Sequence, residues 1–294
     1  MNTEELIRAK IQDHKREIAD LEEALGEIRG GDGEPPAIPM PEFLAAEANV
    51  DHEWLVGGLI GQGATGMLVA DPHVGKSTLA IQLCLAAASG HNTLGWRIAK
   101  PRRVLYCFAE GARALVAERI RACAKSSGIA SAVPPIGFVQ APCFTDFNVG
   151  SEGFRRLIDH TKPDFAVLDA IGYFGGGFDE NSAVEWKAKM MVPLRQLTQE
   201  FGTTWLLIHH QVKENPDRKG WQKGRGTSAM FADVDYWLRL EGVEGEGNES
   251  KRILHVDKNK HGASGQKIHL VFDKQGAFFR WAVSALEANE LTKE

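Results

Sequence analysis

The chain has 294 residues, of which 43% are hydrophobic and 25% are charged, and this mix is typical of a globular protein rather than a disordered one. Its formal net charge of −5 excludes a general polycation, so any nucleic-acid binding has to come from local basic loops. No apolar run reaches the roughly 18 residues of a membrane span, and the acidic N-terminus is unlike a signal peptide. The four cysteines form no CxxC pair, which predicts a cytoplasmic protein without a disulfide framework or a zinc site.

The first 30 residues are predicted to form a helix that is separate from the rest of the chain. Its apolar residues follow an a/d heptad stripe: Ile7, Ile11, Ile18, Leu21, Leu25 and Ile28. Such a helix either lies on its own domain or serves oligomerisation or docking on a neighbour, and the glycine- and proline-rich linker after it favours the second role. The predicted units are a helix (1–30), an extended linker (31–45), one large domain (46–284) and a charged tail (285–294).

From about residue 45, short apolar runs alternate with amphipathic stretches. The predicted strands are 67–70, 103–108, 165–169 and 204–209. The predicted helices are 76–88, 112–125, 153–160 and 182–201. This alternation predicts a parallel sheet with helices on both faces, and Pro193 should kink or split the last helix. Four later strands lack room for crossover helices and predict an antiparallel extension: 234–240, 251–257, 267–272 and 277–281.

The strongest motif is a strand, a tight loop and a helix within Met67–Thr78. Loop amides and a helix N-terminus can face phosphates, the Lys76 ammonium can neutralise the β- and γ-phosphates, and the Ser77 hydroxyl can hold Mg²⁺. We therefore predict ATP and Mg²⁺ as ligands. The predicted nucleotide-binding residues are Asp71, Pro72, His73, Val74, Gly75, Lys76, Ser77 and Thr78. Ala70 replaces the usual first glycine, so the alternative is a degenerate loop that binds phosphate weakly or not at all.

Three further apolar strands end in polar side chains. Asp169 is predicted to hold Mg²⁺ through water, because ligands lie at the carboxyl ends of such strands; the alternative is a turn residue. Glu110 is predicted to activate the attacking water, or else to cap the helix that begins near Ala112. His209 and His210 point to opposite faces, so only one can sense the γ-phosphate, and we choose His210 because it lies nearer the strand end.

Residues 211–225 form a long, basic and glycine-punctuated segment directly after the His210 strand. Segments of this length are usually functional or disordered, and cations with an aromatic residue suit single-stranded DNA. The alternative is a mobile, solubilising loop. The predicted DNA contacts are Lys213, Arg218, Lys219, Trp221 and Lys223. A second candidate loop is Tyr173–Phe178, for which a flexible turn buried at an edge is the alternative.

These motifs, in this order, resemble RecA-like ATPases and specifically the plasmid RepA-type hexameric helicases. The likeness spans about residues 45–275 and includes Ala109-Glu110, Leu168-Asp169, the His209-His210 pair with Lys213, the segment Arg225–Met230 and the segment Asp257–Gly262. The resemblance implies a RecA-like α/β fold. It also implies that Glu110 is the catalytic glutamate and that His210 reports the phosphate state to the DNA-binding loop.

The resemblance further implies a residue that acts in trans. Lys258-Asn-Lys260 is similar to the family's Lys-x-Arg element, which reaches from one subunit into its neighbour's ATP site. Lys260 stands where the family has arginine, and lysine lacks the bidentate fork, so either trans-activation is weaker or Arg225 shares the task. A solvated strand end is the alternative for both lysines.

The sequence-based hypothesis is thus a Mg²⁺-dependent ATPase that forms a ring, expected to be a hexamer, around single-stranded DNA and separates duplex strands. One alternative is a RecA-like recombination or annealing ATPase without unwinding activity. Another is an ATP-gated scaffold that does not bind DNA. The chain has no primase-like or zinc segment, so a primase or origin-binding partner would be a separate protein.

Overall fold

The computed structural model describes residues 38–47, 53–129, 136–140, 147–210, 228–243, 250–275 and 277–281. The chain divides into two compact units, residues 1–51 and 52–294. The described part of the first unit contains helix α1 (Met40–Glu47), so the end of the predicted extended linker is helical. The predicted helix over residues 1–30 and the tail over 285–294 lie outside the described residues.

The second unit is built around a nine-stranded sheet. A short antiparallel hairpin precedes it, formed by β1 (Trp54–Val56) and β2 (Ile60–Gly61). The strands of the sheet are β3 (Thr65–Ala70), β4 (Val104–Phe108), β5 (Ile136–Gln140), β6 (Phe165–Asp169), β7 (Thr204–His210), β8 (Tyr236–Gly242), β9 (Lys251–Asn259), β10 (Gln266–Asp273) and β11 (Phe278–Trp281). Their order across the sheet is β11-β10-β9-β8-β3-β7-β6-β4-β5.

Helices lie between these strands. They are α2 (Lys76–Ser89), α3 (Arg113–Ser126), α4 (Glu152–Thr161), α5 (Ala183–Trp186), α6 (Val192–Phe201) and α7 (Ser228–Asp233), with a 3₁₀ turn at Ile171–Tyr173. In the part of the chain that the structure describes, none of the helices is long and apolar enough to cross a membrane. The sequence analysis did not predict α7, β1, β2 or β5.

Strands β8, β3, β7, β6, β4 and β5 pair in parallel, while β9, β10 and β11 are antiparallel. The predicted α/β fold with an antiparallel C-terminal extension is confirmed. One detail differs, because β8 was expected in the extension but pairs in parallel with β3. The carboxyl ends of six neighbouring strands therefore meet at one edge of the sheet, which we call the carboxyl edge.

Both faces of β3, β4, β6 and β7 are buried, which explains their largely apolar sequences. In β7, Leu206 and Ile208 belong to the core that includes α2 and α3, whereas Trp205 and Leu207 belong to the core that includes α4, α5 and α6. The parity of a residue, that is, whether its position along the strand is odd or even, therefore decides which helical layer its side chain faces. At the strand ends, the same parity decides which polar groups lie on the α2 side.

The helix predicted over residues 182–201 is interrupted, as Pro193 led us to expect. A π-helical turn at Lys187–Met191 separates α5 from α6, and Pro193 lies in the first turn of α6. Proline has no backbone N–H to donate to the preceding turn, so a local change of helix type is physically reasonable at this point.

The cysteines that the structure describes are free and buried: Cys84, Cys107 and Cys123. Burial raises the pKa of the Cys107 thiol to about 12 and that of Cys123 to about 11. These thiols are therefore protonated and unreactive at neutral pH.

A buried glutamine joins α2 to the last strand. The Gln82 side chain is 1% exposed; its amide nitrogen donates to the Phe279 carbonyl (3.0 Å), and its amide oxygen accepts from the Phe279 N–H (2.8 Å). This pairing satisfies both backbone groups of Phe279 on the side where β11 has no neighbouring strand. It also fixes β11 beside the start of α2.

Replacing Gln82 with methionine should destabilise the fold, because two buried backbone groups of Phe279 would lose their partners. We expect Gln82→Met to lower the free energy of unfolding by about 3 kcal/mol in urea titrations. The control is Gln140→Met at the exposed end of β5, which should change the free energy of unfolding by less than about 0.5 kcal/mol. Equal stabilities of the two variants would contradict this role for Gln82.

Candidate active site

The loop between β3 and α2 makes its turn without a glycine at residue 70. Ala70 remains within β3, paired with His210 on one side and Leu240 on the other. The left-handed backbone lies further along, at His73 (φ 66°) and Gly75 (φ 114°). The loop therefore turns at these two later positions, and the alanine is accommodated as an ordinary strand residue.

Gly75 is the N-cap of α2 and lies against the last strand. A Cβ atom on Gly75 would lie 2.7 Å from Cζ of Phe279, so a larger residue is excluded by space as well as by φ. The Gly75 carbonyl accepts the first helical bond, from the Leu79 N–H (2.9 Å). The N–H groups of the first helical turn, which precede that of Leu79, have no partner within the helix. A helix N-terminus of this kind favours phosphate oxygens.

Lys76 is the buried charge of the loop, with 7% of its surface exposed. Its Nζ donates to the carbonyl oxygens of Ala70 (2.9 Å) and Asp71 (3.0 Å). Burial lowers the pKa of the ammonium group, and the carboxylates of Asp169, Asp71 and Glu110 act in the opposite direction. An ammonium group placed in this way can donate to phosphate oxygens in place of the backbone carbonyls.

The other predicted loop residues lie around this group. Pro72 and His73 are exposed, Val74 and Ser77 are partly buried, and Thr78 is buried within α2.

Ser77 and Asp169 both lie beside a tyrosine. The Tyr106 hydroxyl donates to Oδ2 of Asp169 (2.6 Å), and the Ser77 side chain is close to the same phenol group. A hydroxyl and a carboxylate beside a phosphate-binding loop fit Mg²⁺, which takes one or two protein ligands and completes its shell with phosphates and water. The sequence analysis did not single out Tyr106, whose place in an apolar strand predicted only core packing.

Glu110 and His210 lie together on the α2 side of the sheet. His210 has the parity of Leu206 and Ile208, and its Nε2 is 3.9 Å from Oε1 of Glu110. The Glu110 side chain is 54% exposed. Helix α3 is capped at Ala112, in extended backbone conformation, so the alternative that Glu110 caps this helix is wrong.

His209 faces the opposite layer. Its side chain is 2% exposed, and its Nε2 lies 3.9 Å from Oε2 of Glu180. His210, in contrast, is partly exposed, and its buried Nδ1 has no hydrogen-bond partner among the described residues. Of the two histidines, His210 is therefore the one that can contact a group bound beside Glu110.

The structure describes one of the two candidate DNA loops. In Tyr173–Phe178, Phe174 and Phe178 are buried, whereas Tyr173 is exposed. The other candidate segment lies outside the described residues. It contains the predicted contacts Lys213, Arg218, Lys219, Trp221 and Lys223, together with Arg225.

Lys258 and Lys260 lie toward the edge of the sheet where the parallel strands begin, which we call the amino edge, on the far side from the phosphate loop. Lys260 Nζ donates to Oδ1 of Asp235 (2.9 Å), and the Asp235 N–H donates to the carbonyl of Thr65, the first residue of β3. Since the six residues of β3 span about 17 Å, Lys260 is too far away to reach the loop of its own chain. Lys258 donates to the last carbonyls of α7, those of Phe231 (2.6 Å) and Ala232 (2.9 Å).

The antiparallel extension holds the phosphate loop in place through a residue that the sequence analysis missed. Arg252 of β9 donates from Nε to the Val74 carbonyl (3.0 Å), and its guanidinium group lies 5.7 Å from the ring centroid of Phe272. Phe272 stacks on Phe279 with 4.8 Å between centroids. The only sequence signal was an arginine within an apolar strand, which is more often a solvated edge residue.

Comparisons with known proteins identify the family and the fold. The model of the AAA domain family matches residues 42–216, which is more than half of the chain. The chain belongs to the AAA domain family. A solved structure of the RadB recombinase is similar at 14% sequence identity, with a TM-score of 0.51 over 76% of this chain and 92% of that chain, and at this identity the likeness shows the fold alone. A search of curated proteins finds no match. Family, fold and loop together identify a P-loop ATPase with a RecA-like fold.

Removing the Arg252 guanidinium from this AAA-domain ATPase should weaken nucleotide binding, because the loop would lose its bond at Val74. We expect Arg252→Met to raise the Kd for ADP by about tenfold in titration calorimetry, which corresponds to about 1.4 kcal/mol for one hydrogen bond to a charged group. Arg103→Met is the control, since Arg103 is exposed and pairs with Asp164, and it should leave the Kd unchanged. An unaltered Kd in Arg252→Met would show that Arg252 does not hold the loop for binding.

Proposed function

We propose that this chain is an ATP-dependent translocase on single-stranded DNA, of the RepA-like ring helicase type, which hydrolyses ATP at interfaces between subunits. One observation carries the proposal: Glu110 and His210 lie 3.9 Å apart on the same side of the sheet as Lys76 and Asp169. His210 is also the last residue before the basic segment 211–225. Hydrolysis and DNA contact would therefore meet at one residue.

In this proposal the hydrolysis roles are divided among strand ends. The loop amides and Lys76 bind the β- and γ-phosphates, and Ser77 with Asp169 would hold Mg²⁺. The metal ion, when bound, supplies positive charge that neutralises the phosphate oxygens. The half-exposed Glu110 orients a water molecule and accepts its proton. Such general-base assistance is typically worth about a factor of 10² to 10⁴ in rate.

Coupling to DNA follows from the position of His210. Departure of the γ-phosphate changes the partners available to its imidazole, and the backbone carries that change directly into the basic segment. Lys213, Arg218, Lys219 and Lys223 would follow the DNA phosphates, while Trp221 would stack on a base. Cations and one aromatic ring are the groups that bind single strands with little sequence preference.

The opposite placement of the loop and Lys260 supports a head-to-tail assembly. Lys260 is 48% exposed at its ion pair with Asp235 and cannot reach the phosphate loop of its own chain. In a trans role it would contact the ATP site of a neighbouring chain. A contact between unlike surfaces forms a ring when the rotation closes, and we propose a hexamer. Arg225 is a further candidate for this role, and the helix over residues 1–30 would assist assembly.

A second candidate function is a recombination or strand-annealing ATPase without unwinding activity. The fold similarity to the RadB recombinase favours this candidate, and the site described above would serve it equally well. The two functions differ in what happens to duplex DNA.

Single-stranded oligonucleotides should stimulate ATP hydrolysis by the wild-type chain several-fold, and Lys76→Ala should abolish the activity.

The affinity for the oligonucleotide should fall with rising salt concentration. The double variant Lys219→Ala with Lys223→Ala should reduce the slope of log K against log salt by about 1.4, that is about 0.7 for each lost phosphate contact. The matched control is Arg119→Ala with Lys125→Ala on the exposed face of α3, which should leave the slope unchanged.

Unwinding of a tailed duplex in the same assay distinguishes the helicase from the recombination or annealing candidate. An ATP hydrolysis rate that is the same with and without single-stranded DNA, together with a duplex that stays intact, would contradict the proposal.

Trans action can be tested by mixing two inactive variants. Glu110→Gln retains Lys260, and Lys260→Ala retains Glu110, so a mixed assembly contains some complete interfaces, about a quarter of them after random head-to-tail mixing. ATPase activity should therefore reappear in the mixture. A mixture of Lys76→Ala with Glu110→Gln is the control and should stay inactive, because every chain then carries a defective site. A first mixture that is no more active than its separate components would exclude the trans role of Lys260.

A further inference from the structure

Tyr106 is a buried polar residue at the centre of the site that the roles above do not use. It lies in the middle of β4 with 1% of its surface exposed. Its ring is packed against aromatic neighbours, with centroid distances of 5.7 Å to Phe138 and 6.4 Å to Phe108. This packing fixes the position of the hydroxyl group. A phenylalanine would fill the same space, so the hydroxyl calls for a separate explanation.

The Tyr106 hydroxyl lies between the two side chains that would hold Mg²⁺. It donates to Oδ2 of Asp169 at 2.6 Å, and the Ser77 side chain is close to the same phenol group. A phenol has an ordinary pKa of about 10, so Tyr106 keeps its proton at neutral pH and is a donor.

The direction of hydrogen bonding matters for a metal ion. A serine hydroxyl that binds Mg²⁺ offers a lone pair to the ion, so its proton needs an acceptor elsewhere. The nearby phenol oxygen of Tyr106 can be that acceptor, while its own O–H donates a hydrogen bond to Oδ2 of Asp169. The protons then point away from the metal side, and the second carboxylate oxygen, Oδ1, remains available to the ion or its water.

We propose that Tyr106 is a positioning residue of the magnesium site, orienting the Ser77 hydroxyl and the Asp169 carboxylate together. This proposal rests on the nucleotide and Mg²⁺ binding proposed above. Outer-shell partners of this kind typically change metal affinity about 10- to 100-fold when they are removed. Nucleotide binding in the absence of Mg²⁺ should not depend on Tyr106, because the loop amides and Lys76 bind the phosphates directly.

The test is Tyr106→Phe, compared with Tyr236→Phe as a matched control. Tyr236 is equally buried, and its hydroxyl donates to the Trp205 carbonyl (2.7 Å) at the amino edge of the sheet. Calorimetry would measure the Kd for ADP in EDTA and over a series of Mg²⁺ concentrations. Urea unfolding without nucleotide would measure the stability of each variant.

We expect Tyr106→Phe to bind ADP in EDTA like the wild type and to need about tenfold more Mg²⁺ for the metal-dependent gain in affinity. Tyr236→Phe should lower stability and leave the Mg²⁺ requirement unchanged. A wild-type Mg²⁺ requirement in Tyr106→Phe, or an equal shift in both variants, would overturn the positioning role. Wild-type protein that fails to bind ADP would instead overturn the proposed function together with this inference.

Discussion

The ammonium group of Lys76 donates to two backbone oxygens at a buried position, where a charge is costly unless opposite charges lie nearby. Asp71, Asp169 and Glu110 supply that opposite charge, and each follows or ends a different strand. These strands are parallel and end at the same edge of the sheet, which brings the three carboxylates to one lysine. The parallel sheet thus supplies the opposite charge that the buried lysine needs.

The antiparallel strands β9–β11 lie outside residues 42–216, which the family model matches, yet they contact the phosphate loop directly. Arg252 bonds the Val74 carbonyl, and the Phe279 ring fills the space beside Gly75. In turn, Gln82 of α2 fixes the backbone of Phe279. The extension is thus part of the loop's support, and the conformation of the loop depends on contacts between residues about 180 to 200 positions apart.

Local signals were sufficient for much of this architecture. Two features predicted strands and the loop: the apolar run before Gly75-Lys76-Ser77 and the apolar run that ends at Asp169. Both could be recognised because each consists of consecutive residues. The choice between His209 and His210 was harder, because both faces of β7 are apolar. Which of the two faces the α2 side can be decided only once the positions of the helical layers are known. Arg252 and Tyr106 could not have been found from sequence alone. Their roles depend on which distant backbone or carboxylate lies opposite them, and nothing in their own strands distinguishes them from packing residues.

The separation of the phosphate loop and Lys260 onto opposite edges of the sheet has a consequence for how activity scales with assembly size. If Lys260 acts in trans as proposed, a lone chain would hold no complete catalytic centre. An open row of n chains would hold n − 1 complete centres, and closure of the row into a ring would complete the last one. Specific ATPase activity would then fall on dilution well before any chain loses its fold, so the protein concentration itself would control ATP hydrolysis.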